Sequence, residues 1–441
     1  MGILSSVSNE TKNQLGKLYA IDGWTAEKCS KWLEETIGIL VSADAVYNQL
    51  RRWGFKRHKE TVSPKIDVSV EETVEKDRKK LGYEAEIKYW KSLYYASAKQ
   101  SAQIEQVLDV AKNVLQAIPS IPVLYKMKNI DVESAQVAVS PLCDTHIGER
   151  VDLDQMSGLN KYDMDIFNKR MFGWANQVVK LVSLRQKYAQ INRLVIPLLG
   201  DMVSGEIHLE LVKTNVDNAM GQMIRGASII SQAIVFMSQY FQEIYVPCVV
   251  GNHGRMAIKP PAKDMYMNWD YLMYQFISAY CVNQKNIKFS IPKSFFYVIE
   301  VAGKKILLMH GDGIKGGFAG IPYYGMSRTV AQLRQTLQFR KGLEDELQKL
   351  EAEYFDGVMI GHFHTSTELD IGTGPMFVCG CMKGGDEYSL SKLHTLSKPT
   401  QLLTYWHPKY GYISKDVIYL QKYDKSDEKF VDALPEVWIE K

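Results

Sequence analysis

Five runs of apolar residues have the length of β-strands, and each ends in a short polar segment. They span residues 137–142, 193–199, 244–250, 305–309 and 357–360. Apolar runs of this length, bounded by turn-forming residues, are typical of strands buried inside a sheet. Between them, apolar residues recur every three to four positions over 165–187, 214–241 and 266–281, which predicts helices. This alternation of strands and helices predicts an α/β layered fold.

Two further segments extend the predicted fold. Residues 287–299 and 304–309 have the pattern of antiparallel strands, so we expect a second, mixed sheet. A long insertion follows at 313–354; it opens with glycines and aromatic residues and closes with a helix predicted at 327–354. The glycine-rich start of this insertion is expected either to contact the substrate or to serve as an ordinary flexible connector.

The first 62 residues predict a small all-α module. Helices are predicted at 13–20 and 43–53, with a further helix between them, and Thr25 and Ser42 are expected to cap the second and third helices. The apolar faces of these two helices are predicted to be Cys29, Trp32, Leu33 and Ile37, and Val46, Tyr47 and Leu50.

The third predicted helix runs into a basic segment with two aromatic residues, RRWGFKRHK at 51–59. The pattern resembles helix-turn-helix domains of the resolvase or transposase type, in which one helix enters the major groove of DNA. Basic residues interleaved with aromatic ones suit contacts to phosphates. A small helical bundle with a solvated basic end is the alternative. The residues expected to face DNA are Asp44, Asn48, Arg51, Arg52, Lys56 and Arg57.

Residues 63–131 predict a helical linker. Its polar, proline-containing start precedes a stretch with amphipathic helical spacing, and Pro119 and Pro122 are expected to end that stretch. The linker is expected either to pack as a spacer on the next domain or to form a dimer or partner surface. The following domain is predicted over 132–425, with a C-terminal tail at 426–441.

The composition indicates the class of protein, but it says little about binding partners. The chain has 441 residues, of which 46% are hydrophobic, and a formal net charge of +3, so it can build sizeable cores in two or three domains. It contains no apolar run of about 18 residues, as a membrane span requires, and its start lacks the pattern of a signal peptide. The six cysteines show no paired spacing of the kind that binds zinc. We therefore expect a reducing, cytoplasmic location and no membrane partner.

The polar segments at the five strand ends contain the residue types that bind divalent metals. They read DTHIG at 144–148, GD at 200–201, GNHG at 251–254, HGD at 310–312 and GHFH at 361–364. Carboxylate oxygens and imidazole nitrogens are common ligands of transition metals, and open α/β sheets bind ligands at the carboxyl ends of their strands. Five of the nine histidines lie in these segments. The pattern therefore predicts a metal site where the five strands end.

In this order, the five segments resemble those of the calcineurin-like metallophosphoesterase family, over roughly residues 135–385. The form DTHIG at 144–148 looks most like the branch that contains the double-strand-break repair nucleases. The resemblance implies a metallophosphoesterase β-sandwich flanked by helices, to which the small all-α N-terminal domain and the helical linker are added.

The resemblance also implies a two-metal site. The implied ligands are Asp144, His146 and His364 for one ion, Asn252, His310 and His362 for the other, and Asp201 as a bridge between them. Mixed nitrogen and oxygen donors favour Mn²⁺, with Fe, Zn²⁺ or Mg²⁺ as alternatives, over Ca²⁺. In the resembled family, a hydroxide held between the ions attacks phosphorus in line with the leaving oxygen.

His253 follows an implied ligand, and in the resembled family this histidine protonates the leaving group or steadies the phosphate. Imidazole, with an ordinary pKa of about 6.5, can exchange a proton near neutral pH. The family has an acid after this histidine, which orients it, but Gly254 stands here. Either another carboxylate takes that role or His253 acts without one. Arg255 and His208 are further candidates for contacts to the phosphate.

These expectations combine into a two-metal-dependent phosphodiesterase that hydrolyses DNA, brought to the duplex by the N-terminal module. Exonuclease and endonuclease action both remain open, as does the choice between a homodimer and a partner ATPase. One alternative is a phosphoesterase that acts on a small molecule or a phosphoprotein. Another is a DNA-binding scaffold whose metal site is inactive because Gly254 replaces the acid.

Overall fold

The chain divides into two compact units, residues 1–96 and 97–441, which are described separately. The computed structural model describes residues 7–56, 88, 91, 117–125, 135–315, 321–338, 354–372 and 374–432. The division falls within the predicted linker at 63–131, most of which lies outside the described residues. Residues 117–125 run along the second unit, where the backbone N–H of Ile118 donates to the carbonyl of Tyr280 at 2.9 Å.

The first unit contains three short helices, as the hydrophobic pattern predicts. They are α1 (Asn9–Ala20), α2 (Ala26–Ile37) and α3 (Ala43–Arg52). The predicted caps are confirmed, because the hydroxyl of Thr25 accepts from Lys28 N at 3.2 Å and that of Ser42 accepts from Ala45 N at 3.3 Å. The side chains that form the core are Leu15, Tyr19, Cys29, Leu33, Val46 and Leu50.

Three details of this unit differ from the prediction. The first helix begins at Asn9 rather than 13, because Ser8 caps it through Thr11 N. Ile37 and Tyr47 were predicted to face inward, but their side chains are 38% and 41% exposed. In so short a bundle, one residue per helical turn is enough to fill the core. Ile37 is the last residue of α2.

The second unit is built on two β-sheets. The strands are β1 (Ala135–Val139), β2 (Gln190–Val195), β3 (Glu243–Pro247), β4 (Ile287–Ser290), β5 (Phe296–Val301), β6 (Lys304–Met309), β7 (Gly357–Ile360), β8 (Thr367–Asp370), β9 (Pro375–Val378), β10 (Thr400–His407) and β11 (Gly411–Tyr419). In the described residues, one sheet has the order β11-β10-β1-β2-β3-β4 and the other β5-β6-β7-β9-β8. Strands β1 to β4 are parallel, and the second sheet is mixed, as expected.

Six α-helices in the described part of the second unit accompany the two sheets. They are α4 (Met164–Arg185), α5 (Leu209–Thr214), α6 (Ala219–Ser238), α7 (Trp269–Tyr280), α8 (Tyr323–Gln338) and α9 (Glu387–Lys392). Residues of α4, α6 and α7 form one core with the first sheet, whereas Met326 and Val330 of α8 pack on the second. A third core, which includes Val195 and Met359, lies between the sheets. The predicted α/β fold, a β-sandwich flanked by helices, is confirmed.

The segment 287–299 does not form a single strand beside 304–309. It splits into β4, which pairs with β3 in the first sheet, and β5, which pairs antiparallel with β6 in the second. The break falls at Pro292, which has no N–H to donate to a strand ladder, so the chain crosses from one sheet to the other there. Helix α8 begins at Tyr323 rather than 327, and residues 316–320 and 339–353 of the insertion lie outside the described ranges.

Two other expectations can be compared with the fold. No helix among the described residues is long and apolar enough to cross a membrane. All six cysteines fall in the described ranges, where they are buried and form no disulfide.

Candidate metal centre

The seven predicted ligands lie at the carboxyl ends of five strands, three in the first sheet and two in the second. Asp144 and His146 follow β1, Asp201 follows β2, Asn252 follows β3, His310 follows β6, and His362 and His364 follow β7. Because the two sheets pack face to face, loops from both meet at one edge of the sandwich. The structure therefore brings together the residues that the strand-end pattern singles out.

The backbone of these loops is strained where the ligands occur. Nine non-glycine residues in the described ranges have a positive φ, and five of them are predicted ligands: Asp144, His146, Asp201, His362 and His364. Such conformations cost about 1–3 kcal/mol each and cluster at functional sites, where the surrounding structure holds them. The strained turns thus occur where the side chains of the predicted ligands come together.

Two glycines allow the loops after β2 and β3 to touch. A Cβ added to Gly200 would lie 2.3 Å from Gly251 N, and one added to Gly251 would lie 2.2 Å from Asp201 N. Any side chain at either position would force the loops apart. The two glycines are therefore required for Asp201 to approach Asn252.

The ligand atoms fall into adjoining groups. Those of Asp144, His146 and His364 lie within 4.8 Å of one another, as do those of Asp201, His310 and His362. A third group, in which Asp201 and His146 are joined by His253, overlaps both. Asn252 completes the second group, because its Oδ1 lies 3.1 Å from Nε2 of His310. The grouping matches the ligand sets that the resemblance implies, and Asp201 lies between them.

The contacts of His310 indicate that a cation fits the second group. Its Nδ1 lies 2.8 Å from the carbonyl oxygen of Leu199, which can only accept, so Nδ1 carries the proton of a neutral ring. The lone pair of Nε2 then faces two more acceptors, Oδ2 of Asp201 at 3.0 Å and Oδ1 of Asn252 at 3.1 Å. Three electron-rich atoms converge, and a bound metal ion satisfies all of them at once. Otherwise the ring must hold a second proton. Burial opposes that proton, but the charge of Asp201 outweighs burial and raises the pKa of His310 to about 10.

The first group fits a cation for a similar reason. Nε2 of His146 and Nε2 of His364 face each other at 3.0 Å, and the latter lies 3.5 Å from Oδ1 of Asp144. Burial and the charge of Lys383 hold the pKa of His146 well below its ordinary value. Burial and His310 lower that of His362 to about 4. Both imidazoles are therefore neutral near pH 7, which is the state in which histidine binds metals.

His253 is held by its backbone and by its ring. Its N–H donates to Oδ1 of Asp201 at 2.7 Å, and its Nδ1 lies 2.8 Å from the carbonyl oxygen of Ser204. That carbonyl orients the ring in place of the acid that the resembled family has at the next position. A Cβ added to Gly254 would lie 2.1 Å from Oδ1 of Asn268, so no side chain fits at that position.

The other two candidate phosphate contacts differ in position. His208 lines the same cleft as the metal-ligand groups, with its ring centroid 5.6 Å from that of His253. Burial lowers the pKa of His208, so it is neutral near pH 7. Arg255 is not among the residues that line the cleft, and its Nη2 points to the carbonyl of Ile258 at 3.4 Å. Its contact to phosphate stays a prediction without support from this geometry.

A cleft of about 1290 Å³ opens above the metal-ligand groups. Its floor includes His146, Asp201, Asn252, His362 and His364, and its walls include residues within 149–155, 208–214 and 383–398. The walls carry charges of both signs; Arg150, Lys213 and Lys398 are basic, and Asp152, Glu210 and Glu387 are acidic. The cleft therefore does not present a uniformly positive surface.

A buried network of ion pairs lies beside His146, and the sequence pattern did not predict it. Lys383 forms ion pairs with Glu149 and Asp386, and its Nζ lies 2.6 Å from Oε1 of Glu149. Burial opposes the charge of Lys383, but the two carboxylates outweigh it and raise its pKa. Within the described residues, neither Nδ1 of His146 nor Oε2 of Glu149 has a hydrogen-bond partner, although they lie 3.4 Å apart. When Nε2 of His146 binds a metal, its Nδ1–H can turn to this carboxylate.

One signal could have indicated part of this network. Glu149 lies three residues after His146, which is close enough to support it, whereas nothing in the sequence connects Lys383 to either residue. Asp270 was missed in the same way. It lies in α7, its side chain is buried, and burial together with the charge of Asp201 raises its pKa to about 7.

The residues predicted to contact DNA belong to the first unit. Asp44, Asn48, Arg51, Arg52 and Lys56 are all exposed, as a binding surface requires. Arg57 lies outside the described residues. Exposure alone does not distinguish a DNA-binding helix from the solvated face of a bundle, so this interface stays a prediction.

Comparison with known proteins gives only distant similarities. No family model matches the chain, and no curated protein matches it by sequence. Among solved structures, it is similar to Vps29 from Entamoeba histolytica complexed with Zn²⁺, at 14% identity and a TM-score of 0.24 over 64% of this chain and 99% of that one. It is also similar to an archaeal phosphodiesterase, at 11% identity and a TM-score of 0.28 over 64% and 99% of the two chains.

A third similarity is to an uncharacterised protein of Streptococcus pneumoniae TIGR4 that is described as a predicted phosphoesterase. The identity is 11% and the TM-score 0.23, over 64% of this chain and 90% of that one. Identities and TM-scores this low assign no chemistry, so the function must be inferred from the side chains of this chain.

Proposed function

We propose that this protein is a metal-dependent phosphodiesterase and that DNA is its substrate. The observation that carries the proposal is the convergence of the two adjoining ligand groups, which Asp201 joins. A carboxylate has two oxygens, so one side chain can serve two ions roughly 3.5–4 Å apart. Paired ions at this spacing are typical of enzymes that cleave phosphoester bonds by in-line displacement.

The donor set supports a pair of transition metals. Asp144, His146 and His364 would hold one ion, and Asn252, His310 and His362 the other. Only Asp144 and Asp201 bring negative charge, so the ions keep most of their own positive charge. Imidazole and carboxylate donors suit Mn²⁺, Fe or Zn²⁺. When bound, such ions supply Lewis acidity toward phosphoryl oxygens and activate water near neutral pH.

The residues of the chain supply orientation and a proton. The carbonyl of Ser204 fixes Nδ1–H of His253 at 2.8 Å, which leaves Nε2 to carry and release a proton. A protonated His253 donates from Nε2 to the oxygen that leaves phosphorus. The ring of His208, 5.6 Å away between centroids, is neutral and available to bind a phosphate oxygen through an N–H. General acid catalysis of this kind contributes about 10²–10⁴-fold to the rate.

The proposal that the diester is DNA rests on the N-terminal module. Arg51, Arg52 and Lys56 follow one another around the end of α3 and are exposed. Positive charge at the end of a helix that packs in a three-helix unit suits contacts to a phosphate backbone.

One observation favours a second candidate, a phosphoesterase that acts on a small molecule or a phosphoprotein. The walls of the cleft mix acidic and basic residues, whereas a polymer of phosphates is best followed by a positive groove. The third candidate, a DNA-binding scaffold with an inactive site, fits the ligand geometry less well, because scaffolding does not require converging metal donors.

Mn²⁺-dependent hydrolysis is the first test. Metal-depleted protein is incubated with Mn²⁺ and either labelled linear DNA, in single-stranded and duplex forms, or the small diester bis(p-nitrophenyl) phosphate. We expect cleavage of DNA and of the small diester, and none of either when EDTA replaces Mn²⁺. Hydrolysis of the small diester alone would support the second candidate. Intact substrates of both types, together with salt-sensitive DNA binding, would support the scaffold.

Removing the positive charges of α3 should weaken DNA binding. The double variant Arg51→Ala/Arg52→Ala removes two exposed charges outside the core of the first unit. Each lost phosphate contact lowers the salt dependence of binding, by about one unit in the slope of log K against log salt. We expect a slope that is shallower by one to two such units, measured by fluorescence anisotropy with a labelled duplex.

The matched control is Lys28→Ala/Lys31→Ala, which removes the same charge from the exposed face of α2. It should change the slope much less. Equal effects of the two double variants would mean that DNA binding depends only on the net charge of the module. No effect of either pair would assign the module to assembly rather than DNA binding. Deleting residues 1–62 should likewise weaken the affinity for duplex DNA.

A further inference from the structure

The first turn of α7 is inserted beneath the two loops that carry Asp201 and Asn252. Asn268 is the N-cap of this helix, and its Oδ1 accepts from the backbone N–H of Asp270 at 2.8 Å. Both side chains are almost completely buried. A carboxylate in this position has given up its hydration, so its oxygens must find donors inside the protein.

The carboxylate of Asp270 finds those donors in both loops. Its Oδ1 accepts from the backbone N–H of Met202 at 3.1 Å and of Val203 at 3.3 Å, just after Asp201. Its Oδ2 accepts from the backbone N–H of Gly251 at 3.0 Å, just before Asn252. One side chain thus holds the loop after β2 with one oxygen and the loop after β3 with the other.

The rest of the turn reinforces the second attachment. Nδ2 of Asn268 donates to the carbonyl of Gly251 at 2.8 Å, and the backbone N–H of Trp269 donates to the carbonyl of Gly254 at 2.7 Å. The segment from Gly251 to Gly254 is therefore bound at both ends. These bonds also explain why position 254 is a glycine, since a Cβ there would lie 2.1 Å from Oδ1 of Asn268.

We propose that Asp270, supported by Asn268, is a positioning residue that sets the distance between Asp201 and Asn252 and thereby the affinity of the second metal site. The inference rests on the proposed function, because it presupposes that these two residues bind a metal. The hydrogen bonds of the Asp270 carboxylate go to the backbone amides beside the two ligands, so it positions their loops through the main chain. Partners of this kind typically contribute about 10–100-fold to metal affinity.

The variant Asp270→Asn isolates this role. Asparagine has nearly the same shape but only one acceptor oxygen, so whichever way its amide is turned, its NH₂ faces a backbone N–H of one loop. One loop keeps its hydrogen bond to the side chain at position 270, and the other loop loses it. We expect isothermal titration with Mn²⁺ to show the second site weakened about 10–100-fold, and the site of Asp144, His146 and His364, which shares only Asp201 with it, weakened less.

The matched control is Asp163→Asn. Asp163 is also a carboxylate at a helix start, where it accepts from Ile166 N at 2.9 Å at the beginning of α4, but it touches neither loop. Both variants should lower the melting temperature, and only Asp270→Asn should weaken the second Mn²⁺ site. Two wild-type Mn²⁺ sites in Asp270→Asn would overturn the inference, as would equal weakening in the control.

A second variant keeps the test decisive if Asp270→Asn does not fold. Asn268→Ser retains an N-cap for α7 and leaves Asp270 in place, but it removes the bond to the carbonyl of Gly251. The second Mn²⁺ site should weaken severalfold. Unchanged Mn²⁺ binding in that variant would contradict the inference. If the wild-type protein binds no Mn²⁺ at all, the proposed function fails instead, which is a different result.

Discussion

Replacing Asp201 by alanine is expected to abolish hydrolysis and to lower the amount of bound metal. Asp201 lies between the two ligand groups; its Oδ2 is 3.0 Å from Nε2 of His310, and its Oδ1 accepts from the backbone N–H of His253 at 2.7 Å. Loss of a single electrostatic group in an active site costs about 10²–10³-fold in rate, and Asp201 serves two ions at once. We therefore expect a loss of at least ~10³-fold, measured with bis(p-nitrophenyl) phosphate, and fewer than two metals per chain by elemental analysis.

Two variants separate bridging from simple loss of charge. Asp201→Asn keeps an oxygen that can accept from His253 N but lacks a second metal-binding oxygen, so it should bind fewer metals and be nearly as inactive as the alanine variant. Asp152→Ala removes a carboxylate from the wall of the same cleft and should retain most of the activity. Near-normal turnover of Asp201→Asn would rule out the bridging role, and a comparable loss in Asp152→Ala would mean that any acid in the cleft matters.

The convergence of the predicted ligands could be anticipated because it depends on a local signal that repeats. Each ligand lies directly after an apolar run, and the strand ends before DTHIG at 144–148 or GHFH at 361–364 can be read without knowing the fold. The order of the strands in the sheets is needed only to explain why these strand ends meet. Parallel strands place their carboxyl ends at the same edge of a sheet. The positive φ values at Asp144 and His362 were not predictable, because they follow from how the loops pack.

Long-range contacts account for most of what the sequence did not reveal. The partners of Asp270 lie 67, 68 and 19 residues away along the chain, and Glu149 is 234 residues from Lys383. No periodicity connects such positions. The assignment of 287–299 to one strand failed for a related reason, since both halves have strand character and only the packing of two sheets decides that they separate. Ile37 and Tyr47 satisfied a helical spacing in a bundle too small to bury them.

His253 is the residue for which the resemblance and the geometry differ most. The acid expected after it is absent, because the first turn of α7 fills that space, and the carbonyl of Ser204 holds its Nδ1 instead. A carbonyl orients the ring and can also support a doubly protonated imidazole, although it carries no full negative charge. The ring is therefore oriented so that Nε2 faces away from Ser204, as the proposed role in proton donation requires.

Replacing His253 by alanine should slow cleavage by about 10²–10⁴-fold while the metal content stays unchanged. The reason is that His253 supplies the proton for the leaving oxygen, whereas its backbone N–H, which survives the substitution, holds Asp201. The size of the loss should depend on the leaving group. Nitrophenolate leaves without a proton, so bis(p-nitrophenyl) phosphate should be affected much less than DNA, whose leaving oxygen is an alkoxide.

His208→Ala is the matched control, because it removes a neighbouring imidazole from the same cleft, 5.6 Å away between ring centroids. Its loss should be smaller and similar for both substrates, since a phosphate contact serves every leaving group alike. Equal losses for DNA and the nitrophenyl diester in His253→Ala would instead make His253 a phosphate contact. A drop in bound metal would make it a ligand, which its group with His146 and Asp201 would allow, and the proton donor would then have to be sought elsewhere in the cleft.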